Sequence, residues 1–276
     1  MKKTMNRVFA ATCLRGFIIL AATVIVLTSC SNNDNDSNFD NLSEKLIGKW
    51  LTTEHNGLPC ITNMKVAHTF VKEGSGLKMY NSLSMFESNW WSFREEMDVT
   101  IDGNKLVAKD AQGIVVTYME VTSISENRLE FITSTTWTEG DSTASVGPRL
   151  ESFVRVNADY SSTILGTWEG RSTGQDGSEF DDGENHRWEY RSDGTFTYYE
   201  KINDQWQAKD DEFAHYFIDG NLLCTRWKNS GQDQEEHREW WEIVSIENNV
   251  MKWTALRFRN DGSSYTATFQ MERISE

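Results

Sequence analysis

The stretch Leu46-Ile47-Gly48-Lys49-Trp50 returns later in the chain as Ile164-Leu165-Gly166-Thr167-Trp168. Both copies read apolar, apolar, Gly, any residue, Trp, and the two tryptophans lie 118 residues apart. Self-similarity at one fixed separation is the mark of a repeated structural unit. Further matches are therefore expected between the two halves at about this offset.

Three more matches keep the same order. They are Ile101-Asp102-Gly103-Asn104 with Ile218-Asp219-Gly220-Asn221, Met119–Ile124 with Trp241–Ile246, and Phe153–Val156 with Met271–Ile274. Four collinear matches predict a tandem duplication of one domain, with copies at residues 42–157 and 162–276.

Each copy is a series of β-branched and aromatic runs broken by Gly, Asn and Asp, and the whole chain has two prolines. This pattern predicts short strands joined by tight turns. We expect one helical turn at residues 42–47, capped by Asn41 or Ser43. The predicted strands are residues 48–55, 64–72, 76–82, 89–101, 104–109, 114–124, 128–137 and 149–156, then 166–172, 185–191, 194–201, 211–218, 221–228, 236–246, 250–259 and 264–274. The predicted fold is all-β, with two tandem eight-stranded up-and-down antiparallel barrels.

Each copy opens its first strand with Gly-x-Trp and closes its last strand with an Arg. This pairing resembles the signature of the lipocalins, and more closely the short lipocalin-like domains of bacterial lipoproteins. The resemblance implies that Trp50 pairs with Arg155 and Trp168 with Arg273, the indole plugging one barrel end and the guanidinium lying on its face.

Alternation along the strands indicates which side chains face the barrel interiors. Val66, His68 and Phe70 align with His186, Trp188 and Tyr190, and we expect this face to point inward. The second copy holds seven of the eleven tryptophans, so it is the better candidate for a ligand pocket. Aromatic side chains also pack ordinary barrel cores, and that alternative stays open. The candidate ligand-binding residues are His68, Phe70, Trp91, Trp188, Tyr190, Trp227 and Trp241.

The N-terminus has Lys2, Lys3, Arg7 and Arg15 before a charge-free core at residues 16–27. This core is too short for the ~20 residues of a membrane-spanning helix. It ends in Leu27-Thr28-Ser29-Cys30, which resembles the lipobox of bacterial lipoproteins. The resemblance implies a cleaved signal peptide at residues 1–29 and a lipid anchor on Cys30, including fatty acyl chains such as palmitate.

Residues 30–41 are polar, and we expect them to form a flexible tether. Asp34 and Asp36 resemble the acidic tract that directs some lipoproteins to the cell surface, so we favour surface display on the outer membrane over a periplasmic face. Loss of residues 1–29 removes four basic side chains and no acidic one, and the net charge changes from −15 to −19. Such an acidic protein is a poor partner for nucleic acid.

No residue pattern indicates catalysis or a metal centre. Cys60 and Cys224 lie in different halves, and we expect them to stay unpaired. The sequence has no Gly-x-Ser-x-Gly motif and no phosphate-binding glycine loop, and no Cys–His pair is expected to be local. No cofactor is expected, and no protein partner is indicated.

The sequence therefore predicts a lipid-anchored envelope protein that binds a small apolar or amphipathic molecule, or another extracellular ligand, without chemistry. A surface adhesion or glycan-capture module is the alternative, using exposed aromatic residues such as Trp90, Trp206 and Trp240. An enzyme with groups brought together inside a barrel is a third reading.

Overall fold

A computed structural model describes residues 39–83, 93–139, 142–173, 183–209, 211–229, 236–259 and 261–274. The predicted signal peptide, Cys30 and most of the predicted tether lie outside the described residues, as do Trp90 and Trp91. Within the described part of the chain, no helix has the length and apolar character needed to cross a bilayer.

The described residues of the first half form one short helix and nine strands. Helix α1 (Leu42–Leu46) precedes them, and Asn41 before it makes no capping hydrogen bond with its side chain. The strands are β1 (Gly48–His55), β2 (Leu58–Pro59), β3 (Val66–Glu73), β4 (Gly76–Leu83), β5 (Phe93–Asp102), β6 (Lys105–Lys109), β7 (Val115–Ile124), β8 (Arg128–Glu139) and β9 (Ser142–Val156). A single 3-10 turn, Thr62–Met64, lies between β2 and β3.

The first sheet is closed. Its strands run in the order β1-β3-β4-β5-β6-β7-β8-β9, all antiparallel, and β9 pairs back onto β1 with Trp50 opposite Arg155. The two-residue strand β2 pairs with the end of β1. In β7, Thr117, Met119 and Val121 are buried and alternate with exposed Tyr118 and Glu120, as expected for a strand with one face on a core. We call this closed sheet the first barrel.

The second half repeats this arrangement. Its strands are β10 (Gly166–Ser172), β11 (His186–Tyr190), β12 (Phe196–Ile202), β13 (Gln205–Ala208), β14 (Asp211–Asp219), β15 (Leu222–Asn229), β16 (Glu236–Glu247), β17 (Val250–Phe258) and β18 (Ser264–Ile274). They form one antiparallel sheet in the order β13-β12-β11-β10-β18-β17-β16-β15-β14. The edges meet at one isolated bridge, Thr195 to His215, rather than along a full ladder. We call this sheet the second barrel.

The predicted all-β class is confirmed, and each of the sixteen predicted strands corresponds to an observed one. The predicted turn Asn248-Asn249 has positive φ at both residues, the conformation that tight hairpins need. Two strands were not predicted. β2 is two residues long and contains a proline, and β13 is polar and mostly exposed, so neither shows an alternating apolar pattern.

The two barrels share a small apolar interface. Leu51 and Ala67 of the first barrel pack with Leu222, Cys224 and Trp240 of the second. Polar contacts continue this interface along the 3-10 turn, where Lys65 Nζ lies 2.9 Å from Glu242 Oε2 and Thr62 Oγ1 accepts the N–H of Leu256 at 2.9 Å. Residues 39–276 accordingly form one compact unit.

Candidate functional site

One end of each barrel is plugged by the same pair of side chains. Trp50 is fully buried, its indole Nε1 donates to the carbonyl of Leu46 at 2.7 Å, and Cζ of Arg155 lies 4.0 Å from the ring centroid. The Arg155 guanidinium also donates to the carbonyls of Ile47 and Lys45, which ties it to the chain just before β1.

The second barrel repeats these contacts. Trp168 Nε1 donates to Ile164 at 2.6 Å, and Cζ of Arg273 lies 4.2 Å from the Trp168 ring. Gly166 has φ +109, and a Cβ there would lie 2.8 Å from the Arg273 guanidinium. The glycine of Gly-x-Trp is therefore needed to admit the arginine.

Aromatic side chains fill the middle of the second barrel. Trp188 lies at the centre of this group, with its ring centroid 5.3 Å from Tyr198, 5.4 Å from Trp253 and 5.7 Å from Phe269. Tyr190 is buried deeper, beside Phe196. Trp188 and Tyr198 are only partly buried. Part of the ring surface of this aromatic group is therefore accessible.

A stack of three side chains forms one wall of the second barrel. Trp241 stacks on Trp253 with centroids 5.3 Å apart, and Arg257 Cζ lies 4.4 Å from the Trp241 ring. Glu239 accepts from Trp241 Nε1 at 3.2 Å and from Arg257 Nη1 at 3.5 Å. Two buried donors on this wall, Trp253 Nε1 and Arg257 Nη2, have no hydrogen-bond partner among the described residues.

Trp227 lies on β15 of the same barrel. Its ring stacks on His237 at 5.5 Å and meets Phe196 edge-on at 6.3 Å. It is partly buried. Trp188, Tyr190, Trp227 and Trp241, which alternation predicted to face inward, therefore all contribute to the interior of the second barrel.

The first barrel has a different interior. His68 lies against Phe153 at 4.9 Å and against Phe131 and Phe70 at 6.3 and 6.4 Å, and Phe70 belongs to the same core as Trp50. Burial among these rings lowers the pKa of His68 to about 4. The imidazole is therefore neutral at physiological pH.

A buried carboxylate lies beside His68. Glu151 is 3% exposed, Arg149 Nε lies 2.6 Å from its Oε1, and Thr133 donates to its Oε2 at 3.2 Å. Nδ1 of His55 is 3.4 Å from Oε1. Burial works against ionisation, but the His55 and Arg149 contacts outweigh it and hold the pKa of Glu151 below its ordinary value.

Interactions with Cys60 and with Glu151 raise the pKa of His55 to about 9, and the Cys60 thiol itself donates to the carbonyl of Ile61. The expectation that no Cys–His pair is local was wrong. Cys60 follows His55 by five positions, across the turn Asn56-Gly57, and a hairpin at that point would have brought the two close together. The alternation Glu151, Phe153, Arg155 on one face of β9 was the second available signal.

Equivalent positions in the two barrels carry different chemistry. Two positions are equivalent when they have the same strand register relative to the plugging Trp of their barrel. In the later strands the reference is a backbone hydrogen bond that both barrels make, from the N–H of Val121 or of Ile243 to a hairpin carbonyl. The pairs are His68 with Trp188, Asn81 with Tyr198, Glu151 with Phe269, and Thr133 with Ala255. The first barrel is polar where the second is aromatic or aliphatic.

Two of the aromatic residues expected to point outward, Trp206 and Trp240, lie among the described residues, and neither is fully exposed. Trp240 is 9% exposed because it packs in the interface between the barrels, so its expected exposure is corrected. Trp206 is half-buried, and Arg187 Cζ lies 4.5 Å from its ring. Trp90 and Trp91 cannot be placed, since they are outside the described residues.

Among the described residues, no cluster of three or more His, Cys, Asp or Glu side chains is arranged to hold a metal ion. Both Cys60 and Cys224 are free and buried. Burial raises the pKa of the Cys224 thiol well above its ordinary value.

Comparisons with known proteins add little to this picture. No protein-family model matches the chain, and no curated protein matches it. One solved structure that is similar to this chain is a protein of unknown function from the DUF3598 family of Nostoc punctiforme PCC 73102. The identity is 8%, the match covers 84% of this chain and 97% of that one, and the TM-score is 0.22.

Proposed function

We propose that this chain is a lipid-anchored protein of the bacterial outer membrane that binds a small apolar or amphipathic molecule inside its second barrel, without chemistry. The observation that carries the proposal is the partly exposed aromatic group in the interior of that barrel, around Trp188, Tyr198 and Trp227. Small-molecule sites in proteins are concave and mostly apolar, with a few placed polar groups.

The aromatic group offers a ligand both apolar surface and hydrogen-bond donors. Trp188, Tyr198 and Trp227 present ring surface, and burial of such surface contributes about 25 cal/mol per Å². Trp253 Nε1 and Arg257 Nη2 are donors with no acceptor among the described residues. A buried donor without an acceptor costs about 1–3 kcal/mol, so a ligand oxygen that accepts from either donor is favoured.

The anchor follows from the N-terminal sequence. Cleavage before Cys30 and acylation of its sulfur and amino group would hold the folded part at a membrane surface through the tether. The strongly acidic charge suits a domain held away from anionic lipid. We propose surface display over a periplasmic position because of Asp34 and Asp36.

Binding can be measured with cis-parinaric acid, a fluorescent amphipathic probe that accepts energy from tryptophan. The form used is the Cys30→Ser chain, which we expect to remain unacylated and to leave the membrane fraction. We expect saturable binding, and we expect Trp227→Leu to weaken it at least about tenfold because ring area of the aromatic group is lost.

Trp206→Leu is the matched control, since this ring lies on β13 outside the barrel interior and its loss should leave the affinity unchanged. The binding proposal fails if the chain does not bind the probe, or if the two variants bind it equally well. Unchanged membrane retention of a processed Cys30→Ser chain would contradict the anchor.

A further inference from the structure

An arginine and a glutamate form an ion pair on the inner face of the second barrel. Arg257 lies on β17, two positions beyond the buried Ala255 and four beyond the buried Trp253, so it shares their face. Glu239 lies on β16, two positions before the buried Trp241. The side chains of Arg257 and Glu239 are 26% and 18% exposed, so solvent still reaches the pair.

The two partners do not use all of each other's hydrogen-bonding capacity. Arg257 Nη1 donates to Glu239 Oε1 over a long 3.5 Å, and Nη2 has no partner among the described residues. The other carboxylate oxygen accepts from Trp241 Nε1 at 3.2 Å. A carboxylate offers about four acceptor sites and a guanidinium about five donors, so both partners can bind further groups.

A second donor without a partner lies on the same wall of the barrel. Trp253 is 2% exposed, and its buried Nε1 makes no hydrogen bond within the described part of the chain. Its ring stacks on Trp241, and the guanidinium of Arg257 lies 4.4 Å from the Trp241 ring. Buried donors normally have acceptors, so the free donors of Trp253 and Arg257 indicate oxygen atoms of a ligand.

The first barrel closes without such an ion pair. By strand register, Thr117 stands at the position of Glu239 and Thr135 at the position of Arg257. These two threonines pair with each other across β7 and β8, and the first sheet is closed. Removing an ion pair from water is costly, and neutral residues in its place are often at least as stable. The ion pair is therefore better explained by binding than by folding.

The charge balance of this wall favours one class of head group. Arg257 and Glu239 cancel each other, so an anionic ligand gains no net attraction from them. Lys209, whose Nζ lies 5.9 Å from the Tyr198 ring, is itself paired with Glu200 at 3.3 Å. The net charge of −15 for the whole chain also repels anions. A neutral hydroxyl meets no such repulsion, and it can both accept from Arg257 and donate to Glu239.

We propose that the ligand of the second barrel is a neutral amphiphile with a hydroxylated head group, a sugar or a glycerol. This inference rests on the proposed function and names the class of molecule bound. The hydroxyls of the head group accept from Arg257 Nη2 and Trp253 Nε1 and donate to Glu239, and the alkyl chain lies against the rings of Trp188 and Tyr198. A fatty acid binds through its chain but more weakly, because its carboxylate meets Glu239.

Calorimetric titration of the Cys30→Ser chain at neutral pH tests this preference with three amphiphiles below their micelle-forming concentrations. Decyl β-glucoside and 1-decanoylglycerol carry neutral hydroxylated head groups, and decanoate carries a carboxylate on the same acyl chain as the glycerol ester. We expect at least one neutral amphiphile to bind about tenfold or more tighter than decanoate. The tighter of the two neutral ligands distinguishes a sugar head group from a glycerol.

Glu239→Gln removes the charge of the carboxylate and keeps the shape of the side chain. We expect decanoate to bind this variant about tenfold tighter than it binds the unaltered site, so the preference for neutral head groups should be lost. Glu236→Gln is the matched control, since it removes a carboxylate from an exposed position of the same strand, where Glu236 contacts Arg238. The control should keep the preference of the unaltered site.

The inference is overturned if decanoate binds the unaltered site as tightly as both neutral amphiphiles, or if Glu239→Gln and Glu236→Gln show the same preference. Binding of all three amphiphiles without preference would sink this inference and leave the proposed function standing. Binding of none of them, with no binding of cis-parinaric acid, would overturn the proposed function as well. If circular dichroism shows that Glu239→Gln does not fold, the preference of the unaltered site decides the question.

Discussion

His68 shows how one residue is changed by its place in the first barrel. In water an imidazole is protonated below a pKa near 6.5, but His68 is enclosed by phenyl rings and its pKa falls to about 4. Glu151 nearby works in the opposite direction, and Arg149 adds to the lowering. Desolvation is the largest of these effects, because no water remains to solvate the cation.

This shift predicts an acid-dependent loss of stability. Between pH 6.5 and 4 the unfolded chain binds a proton at His68 that the folded chain refuses, so stability falls as the pH falls. The loss is on the order of 3 kcal/mol when the pH reaches the folded pKa.

Urea denaturation at a series of pH values measures this loss of stability. The variant His68→Phe should show a shallower decline over this range, since it has no proton to bind. Parallel curves for His68→Phe and the unaltered chain would show that His68 is not the titrating group.

Strand β10 illustrates a constraint at the level of the element. Gly170 pairs with Met271 of β18 on one side and with His186 of β11 on the other. A Cβ at Gly170 would overlap the carbonyl oxygen of Gln270 and lie 2.6 Å from Cα of Met271. The first barrel has Thr52 at this register, with its hydroxyl bonded to Val66 and a bulge directly after it.

Gly170→Ala should therefore push β10 away from β18 and destabilise the protein by about 1–3 kcal/mol or more. Gly76→Ala is the matched control in a strand of the first barrel, where the nearest atom to the new Cβ is 3.5 Å away and φ is not positive. The midpoints of urea unfolding compare the two. Equal midpoints would mean that β10 can shift without cost.

At the scale of the whole molecule, the interface makes the two barrels one unit. Trp240 points away from the interior of its own barrel and is buried against the first barrel, together with Cys224 and Leu222. Lys65 and Glu242 pair beside it, and Lys49 contacts Asp219 across the same boundary. Apolar burial at this boundary supports cooperative unfolding.

Trp240→Ala should lower the free energy of unfolding by about 3–5 kcal/mol, since a large buried side chain is lost. We also expect the unaltered chain to unfold in one calorimetric transition and Trp240→Ala to unfold in two, because the barrels of the variant lose a shared contact. Trp206→Ala is the control for removing an indole from the surface. An unchanged transition in Trp240→Ala would show that the interface contributes little to stability.

The sequence predicted the strands well but did not predict which outward side chains become buried. Strands β7 and β18 were predicted almost to the residue, because alternation and Gly or Asn turns are local signals. Alternation also placed Trp241 inside and Trp240 outside its barrel. It could not show that a second barrel covers Trp240, since that burial depends on residues such as Leu51, far away in the chain.

The candidate sites divide in the same way. The pairing of Trp50 with Arg155 could be predicted from the lipocalin-like motif, because each residue lies at a recurring position at a strand end. The Glu151 cluster was missed, because His55, Thr133 and Glu151 belong to three strands and meet only when β9 pairs with β1 and β8.

By itself, the sequence determined the repeat, the β-strands, their turns and the plugging residues, because these depend on short-range periodicity and on one motif written twice. The burial of Trp240 and the different interiors of the two barrels were decided only by the tertiary structure. Those properties depend on which distant side chains become neighbours, and such neighbours are created by strand pairing and packing across the whole chain.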